Sequence, residues 1–417
     1  MRCARRWARH DPGRTPLTGR VPGRGPGRVA SARRATLAVF AANGFAFATW
    51  MSRIPDIRDH LGLSPGQLSV LLLAISIGSL VGLPLAGRLL ERWGPLLGTR
   101  LAILAAAVGL VGASAMVGVA PSFVWIAPFL AVFGLGNGVW DVSQNLEGAT
   151  VEQRMGRAIM PWFHAAFSGG TVLGSLTGAG AIVIGVPVQL HIPVVVLIAG
   201  GTAWLASSGF LPSPSEPRTG QMPPTSSVAR TSAWLEPRTW LVGVMVMAAS
   251  FTEGTANDWM AVAFVSGHHV PSSMGVLGVS IFLTAMTLTR VLGTKALDRY
   301  GRVVLLSGLF ATATIGCLMV VFGNLVVAYA GAAVWGIGAS LGFPVGMSAA
   351  SDEPMRAAAR LSVVSTLGYT AFLGGPPLLG FLGDHVGPLN ALLAVGVAAL
   401  LAIAVVPAAR PRREDPR

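Results

Sequence analysis

Long apolar stretches dominate this chain and decide what it can fold into. About 20 apolar residues in an α-helix cross the hydrocarbon core of a bilayer. We identify such stretches at 35–54, 68–88, 99–119, 122–145, 160–184, 191–211, 239–262, 274–293, 303–323, 325–346, 361–382 and 389–409. Lipid tolerates helices because they satisfy their own backbone hydrogen bonds, and the alternating ten-residue pattern of membrane strands does not appear. The sequence therefore predicts an all-α membrane protein with twelve transmembrane helices.

The composition agrees with lipid as the solvent for much of the surface. Of 417 residues, 53% are hydrophobic and 11% are charged, whereas soluble domains carry about 25% charged residues. The net charge of +13 could suit nucleic acid, but the basic residues lie between apolar stretches and do not form one face, so we expect no nucleic-acid partner. Cys3 and Cys317 are the two cysteines, and they imply no disulfide framework.

The distribution of basic residues predicts the orientation in the membrane. All 30 Lys and Arg residues except Arg53, Arg58 and Arg290 lie in the two tails or in every second connection. Because cytoplasmic segments carry the excess of basic residues, both termini are predicted to be cytoplasmic. Lys295 is the single lysine, and this preference for Arg is typical of GC-rich bacterial genomes. We expect a multi-pass protein of the bacterial plasma (inner) membrane.

The chain divides into two groups of six stretches. Residues 1–34 hold ten Arg together with Pro and Gly, which predicts a disordered basic cytoplasmic tail. Residues 212–238 are polar and rich in Pro, as expected of a cytoplasmic linker. The predicted N-terminal bundle then covers 35–211, the C-terminal bundle covers 239–409, and 410–417 form a second cytoplasmic tail.

Short motifs recur at matching places in the two groups. The loop after the second stretch contains Glu91-Arg92-Trp93-Gly94, and the loop after the eighth contains Asp298-Arg299-Tyr300-Gly301, 207 residues later. Asn43-Gly44 in the first stretch is matched by Glu253-Gly254 in the seventh. Two such pairs favour a parallel internal repeat, which is one architecture of membrane transporters.

These loops resemble the signature of the major facilitator superfamily. Further segments resemble its rhizopine-transporter-like (MosC-like) subgroup, which is related to the fucose permeases, over roughly residues 35–405. They are Arg53 to Pro55, Leu61 to Ser64, Asp141 to Gly148, His164 to Ser168, Glu253 to Trp259 and Val364 to Tyr369. The resemblance implies two pseudo-symmetric six-helix bundles that alternate in access. The chain departs from the family pattern in the first loop, where Glu91 replaces the usual Asp and Pro95-Leu96 replace basic residues.

The two loops also carry a candidate cytoplasmic gate. An acidic residue beside an Arg at a cytoplasmic helix end can bridge to a neighbouring helix and hold that side shut. The candidate gate residues are Glu91, Arg92, Asp298, Arg299 and Arg302. Because of the departures in the first loop, we expect the first half of the gate to be looser, with weaker contacts, than the second half. The alternative is that the Arg residues only anchor the cytoplasmic side.

The fourth stretch carries a polar face. Asn137, Asp141 and Asn145 follow one another at a spacing of four, which places them on one side of a helix. The resemblance to fucose permeases implies a role of Asp141 in proton coupling, whereas the alternative is a helix end that already enters the headgroups. His164, early in the fifth stretch, is expected at a similar depth. It is either a proton relay beside Asp141 or a structural hydrogen bonder.

The seventh and eighth stretches carry charges as well. Glu253 and Asn257 share a helical face, and a carboxyl group at this depth should face the interior or a cavity. Such a group, neutral in one conformation and charged in another, suits a proton-coupled carrier. It could equally be a structural acid paired with a neighbouring helix. Arg290 is interpreted as extending to the interface, with pairing to Asp298 or to a substrate acid as the alternative.

Aromatic and amide side chains complete the candidate cavity. Asn43 and Tyr369 are added to the residues above as candidates for substrate binding or proton coupling. Trp50, Trp140, Trp259 and Trp335 are weighed as cavity walls against the commoner roles of interface anchor and packing.

The function expected from these features is secondary active transport. No HExxH, GxSxG or P-loop pattern occurs in the sequence, so an enzyme or ATP-driven pump is not expected, and neither is a cofactor or metal. We expect a monomer in a lipid bilayer that moves a small polar solute, sugar or polyol-like, together with protons. The alternatives are efflux of a small apolar compound and a membrane sensor or scaffold that does not transport.

Overall fold

The described part of the protein is built of α-helices. A computed structural model describes residues 26–62, 65–212, 232–270 and 272–411. The helices are α1 (Pro26–Ser52), α2 (Ile54–Leu61), α3 (Pro65–Val119), α4 (Phe123–Met155), α5 (Met160–Val183), α6 (Val188–Ser207), α7 (Pro237–Gly267), α8 (Ser272–Leu292), α9 (Thr294–Phe322), α10 (Leu325–Ala339), α11 (Gly342–Ala350), α12 (Ala357–Val386), α13 (Pro388–Ala391) and α14 (Leu393–Val405). Short 3-10 turns at Ala233–Leu235, Pro354–Arg356 and Val406–Ala409 complete the described elements.

Eight helical segments in the described ranges are long and apolar enough to cross a membrane. One of them, Val70–Val119, is 50 residues long and covers two of the predicted stretches. The helices α7 and α12 are not among the eight, and α8 contributes only a shorter apolar segment, Leu277–Leu292. Polar side chains such as Glu253 lower the mean hydropathy of α7. An all-helical, membrane-embedded fold is confirmed, whereas the count of twelve spans stays a prediction.

Two glycines bend α3 and α9 at matching positions. Gly94 has φ 74° and ψ 169°, and Gly301 has φ 76° and ψ 166°. Only glycine adopts this combination readily, because a side chain would clash with the backbone. The two glycines occupy the same position in the repeated loop motif. The two loops therefore share a backbone turn as well as a sequence pattern.

Substitution of Gly301 isolates the cost of this backbone geometry. A Cβ atom at Gly301 or at Gly308 would meet nothing within 4 Å, so both sites have room for a methyl group. Only Gly301 has a positive φ, and we expect Gly301→Ala to destabilise the fold by about 1–3 kcal/mol. The control Gly308→Ala should leave the melting temperature unchanged or raise it, because alanine favours a helix. Equal melting temperatures for the two purified variants would contradict this assignment.

The helices pack in two sets. We call α1–α6 the first helix set and α7–α14 the second helix set, because most contacts run within each group: α3 packs on α4, α1 on α5, α10 on α9 and α12 on α7. The contact of α5 with α1 is very close. A Cβ atom at Gly170 would lie 2.0 Å from the carbonyl oxygen of Ala41. A larger residue there would separate the two helices.

The first helix begins before the predicted boundary at residue 35. Residues 26–34 were expected to belong to a disordered tail, but they form the first turns of α1. Pro26 suits the first position of a helix, and the Ala and Arg residues that follow it favour helix. The rest of the predicted tail, most of the predicted linker and the last six residues lie outside the described residues.

Candidate functional site

The two helix sets contact each other near one end of the bundle. The hydroxyl group of Ser362 in α12 donates to the carbonyl oxygen of Leu83 in α3 at 2.6 Å. The backbone N–H of Ala158, just before α5, donates to Oδ1 of Asp298 in α9 at 2.9 Å. This is the end that the distribution of basic residues predicts to be cytoplasmic.

Asp141 lies at the boundary between the sets. Its side chain is buried in α4, with 6% of the residue exposed. Oδ2 accepts a 3.4 Å hydrogen bond from Ser365 of α12, and Oδ1 accepts one of 3.2 Å from the amide of Asn145. Both of these partners are uncharged.

His164 is connected to Asp141 through Asn145. Nε2 of His164 lies 3.2 Å from Oδ1 of Asn145. The imidazole ring packs edge-on against Phe40 and Phe343, with ring centroids 5.3 Å and 5.4 Å away. Because an amide does not titrate near neutral pH, this chain positions the three groups but offers no direct proton transfer between His164 and Asp141.

Arg290 and Glu253 form an ion pair in the second helix set. Nη2 of Arg290 lies 2.7 Å from Oε2 of Glu253, and the two side chains are 6% and 19% exposed. Nε of Arg290 donates to the carbonyl oxygen of Ser340 at 3.0 Å, and Nη1 donates to Oγ of Ser168 in α5 at 3.2 Å. The interpretation of Arg290 as extending to the interface is wrong, because the protein itself supplies the partners that the guanidinium needs.

The remaining predicted site residues differ in their surroundings. Asn43 and Asn137 are buried in α1 and α4. Tyr369 is half-buried in α12, where its ring meets Phe372 edge-on at 6.0 Å. Asn257, one turn beyond Glu253, is exposed on α7. The structure therefore links Asp141 to His164 through Asn145, pairs Glu253 with Arg290, and leaves the other predicted residues separate on α1, α4, α7 and α12.

Three of the tryptophans considered as cavity walls are buried in the helix packing. Trp50, Trp140 and Trp335 are at most 2% exposed. Trp335 packs edge-on against Phe282, with centroids 6.2 Å apart. Of the roles weighed for these three rings, this conformation shows packing, because the neighbouring helices cover them.

The predicted gate residues of the second loop bond to other elements. Asp298 accepts the hydrogen bond from Ala158 described above. Arg302 pairs with Asp352 at 2.7 Å and donates to Oγ of Ser348 at 2.8 Å. The guanidinium of Arg299 lies 5.3 Å from the centre of the Tyr300 ring.

The first loop contrasts with the second. Glu91 and Arg92 are both exposed on α3. The first helix set instead contributes Glu152 of α4, whose side chain hydrogen-bonds to Ser348 in the second set. Its other oxygen accepts the N–H groups of Ile159 and Met160 at 2.8 Å each. Sequence reasoning missed Glu152, although it continues the helical face of Asp141 and Asn145.

Two clefts lie away from this network. One, of about 160 Å³, is lined by residues that include Arg53, His60 and Gln189. The other, of about 360 Å³, runs along α9 from Tyr300 to Thr312. Within the described ranges, no cluster of three or more His, Cys, Asp or Glu residues could hold a metal ion.

Proteins similar in sequence include transporters. The profile of the Major Facilitator Superfamily matches residues 259–417. An uncharacterized transporter of Sinorhizobium fredii is 32% identical over 384 residues, which is 91% of this chain and 98% of that protein. An uncharacterized MFS-type transporter of Yersinia pestis is 30% identical, over 90% of this chain and 94% of that protein. The membrane protein MosC of Rhizobium meliloti is 28% identical, with 86% of each chain covered.

Solved structures show the same fold at low sequence identity. The fucose:proton symporter of E. coli superposes with a TM-score of 0.71 at 14% identity, over 90% of this chain and 97% of that chain. The human organic anion transporter MFSD10 superposes with a TM-score of 0.68 at 15% identity, over 91% of this chain and 99% of that chain. The family suggested by the loop motifs is thus confirmed. The chain belongs to the major facilitator superfamily, a family of membrane transporters and not of enzymes.

Proposed function

We propose that this protein is a proton-coupled secondary transporter that moves a small polar solute across a bacterial plasma membrane by alternating access. Twelve spans form two pseudo-symmetric six-helix bundles, at 35–211 and 239–409, with 212–238 as the cytoplasmic linker and both termini in the cytoplasm. The repeated turns at Gly94 and Gly301 and the packing in two helix sets support this arrangement. Transporters with such repeats bind their substrates between the halves.

The observation that carries the proposal is the environment of Asp141. Ionisable groups at membrane depth are costly and mark ion or proton pathways. Asp141 is buried where the two helix sets meet, and its hydrogen-bond partners are the uncharged Ser365 and Asn145. It can therefore take up a proton without breaking an ion pair. Separation of α4 from α12 would change the water around it, and with that its protonation.

The contacts between the sets favour an outward-facing state. They join Leu83 to Ser362 and Asp298 to Ala158, at the predicted cytoplasmic end. Asn257 is exposed toward the other end of α7. The Asn and Tyr side chains at 43, 137, 257 and 369 supply the donors and acceptors that a hydroxylated solute needs, as in most binding sites with few polar groups.

We assign the gate mainly to the second loop. Asp298 and Arg302 link α9 to the start of α5 and to Ser348, and Ser348 in turn contacts Glu152. Glu91 and Arg92 remain exposed, which fits a looser first half of the gate.

The proposal is tested with purified protein in liposomes. A panel of sugars and polyols is first screened for a raised melting temperature, since a ligand of the native state stabilises it. The best ligand is then supplied in labelled form to proteoliposomes with and without an imposed proton gradient. We expect accumulation above the external concentration only with the gradient, and its loss on adding a protonophore. Equal flux under both conditions would contradict proton coupling, and stabilisation by apolar compounds alone would favour efflux.

A further inference from the structure

The Arg290–Glu253 ion pair occurs in only one of the two matching halves. Leu83 and Arg290 correspond, because each lies eleven residues before the glycine of its repeated turn. Asn43 precedes Gly44 as Glu253 precedes Gly254. The first helix set therefore has a neutral Asn and an apolar Leu where the second helix set has two charges.

The corresponding interfaces can be compared directly. The carbonyl oxygen of Leu83 in α3 accepts a hydrogen bond from Ser362 of α12 at 2.6 Å. Arg290 in α8 reaches Ser168 of α5 at 3.2 Å. Both contacts close the same end of the bundle. Since the α3–α12 interface closes without a charge, the ion pair at the α5–α8 interface is not required for closure as such.

Electrostatics gives the pair a different role. All three guanidinium nitrogens of Arg290 have partners, but only Glu253 supplies a negative charge to them. Among the titratable groups, His164 is the one on which the charge of Arg290 acts, and it is linked through Asn145 to Asp141; Tyr369 lies on α12. A buried cation that loses its anion is strongly disfavoured at low dielectric. It becomes tolerable again where water reaches it.

The exposure of the pair indicates where the change begins. The Glu253 side chain is 19% exposed, whereas that of Arg290 is 6% exposed. Of the two side chains, Glu253 is therefore the more open to a proton or a polar solute while the α5–α8 contact is closed. Separation of α8 from α5 would then hydrate Arg290 from the cytoplasmic side.

We propose that Arg290 is a positioning residue: the closed α5–α8 interface tolerates its buried cation only while Glu253 pairs with it, and neutralisation of Glu253 opens the interface. This inference rests on the proposed alternating-access function, and it deepens that function by naming the element that senses the cavity. Asp141 carries the transported proton in the proposed function, whereas Glu253 controls the closed state.

A disulfide at the other interface reports the closed state without any substrate. The ideal Cβ position at Gly87 lies 3.1 Å from Cβ of Ser362, within reach of a disulfide while the cytoplasmic end is closed. Gly87→Cys and Ser362→Cys are introduced together into a protein that carries Cys3→Ser and Cys317→Ala. The rate of oxidative cross-linking is then measured in this parent and in three variants.

The variants predict a distinctive pattern. Glu253→Gln leaves the Arg290 cation unpaired, and cross-linking should slow by about fivefold or more. Glu253→Gln combined with Arg290→Leu imitates the neutral first half, and the parent rate should return. Arg290→Leu alone should cross-link nearly as the parent, because Glu253 retains access to water. The cross-linking rate of the parent is also divided by that of the double variant at each pH. This ratio should fall as the medium is acidified.

Specific outcomes would overturn the inference. An unchanged rate in Glu253→Gln, or a double variant as slow as the single one, would show that the pair only stabilises the fold. If Glu253→Gln does not fold, the pH dependence of the parent against the double variant decides instead. A failed uptake experiment with an intact cross-linking pattern would reject proton-coupled transport of the chosen solutes and leave the role of Arg290 standing.

Discussion

Replacement of Asp141 by Asn is expected to abolish solute accumulation driven by a proton gradient. The amide has nearly the shape of the carboxyl group and can still bond to Ser365 and Asn145, so the helix contacts should persist. It cannot bind and release a proton, so net transport should lose its coupling. Solute counterflow, which needs no net proton movement, should continue, and comparison of the two assays in proteoliposomes separates loss of coupling from loss of binding.

A matched control uses another carboxyl group in the membrane region. Asp258 is exposed on α7, close to Asn257 and away from the contacts between the sets. Asp258→Asn makes the same chemical change, and gradient-driven accumulation should remain near the level of the unmodified protein. Retained accumulation in Asp141→Asn, or its equal loss in both variants, would refute the assignment of the proton to Asp141.

The helical architecture could be predicted because lipid imposes a simple rule on sequence. Apolar stretches long enough to cross a bilayer fold as helices, and the periodicity of α4 then places Asp141 and Asn145 together. The repeat was visible as well, since glycine alone tolerates the backbone turn at Gly94 and Gly301. These features depend on local geometry, which a sequence carries directly.

Partners between helices could not be predicted in the same way. Arg290 and Glu253 are 37 residues apart, and their pairing depends on how α7 packs against α8. Glu152 and Ser348 are 196 residues apart and meet only because the two sets close at one end. The useful signal in the sequence was an acid in the seventh stretch and a base in the eighth, each costly in lipid unless the other compensates it.

The tryptophans illustrate a further limit. Composition alone cannot tell a ring that faces a cavity from one that fills space between helices. Trp50 and Trp335 are covered by neighbouring helices in this conformation, whereas Trp259 is half-buried on α7. The difference depends on tertiary packing and on the conformational state, both of which lie beyond helical periodicity.

A charged cluster ties the end of the linker to α12. Glu236, just before α7, pairs with Arg356 at 2.5 Å and with Arg360 at 2.6 Å. Arg360 also pairs with Glu353 at 3.0 Å, and its side chain is only 4% exposed. Burial opposes ionisation of Glu236, but the hydrogen bonds from Arg360 and Thr239 and the charges of Arg360 and Arg356 outweigh it. The pKa of Glu236 is therefore lowered from its ordinary value of 4.5.

Removal of Arg360 should destabilise the protein strongly, because it leaves partly buried carboxylates without their main partner. Arg360→Met keeps much of the side-chain volume, and we expect a loss of about 3 kcal/mol at neutral pH, seen as a lower melting temperature. Arg299→Met removes an exposed cation that stacks on Tyr300 and should cost less than about 1 kcal/mol.

The contribution of Glu236 to stability depends on pH. Since folding lowers the pKa of Glu236, this contribution is present above pH 4.5 and is lost as the pH falls through the folded value. The difference in melting temperature between Arg360→Met and the unmodified protein should therefore shrink on acidification below pH 4.5, and a difference that stays constant with pH would show that Arg360 stabilises through packing alone.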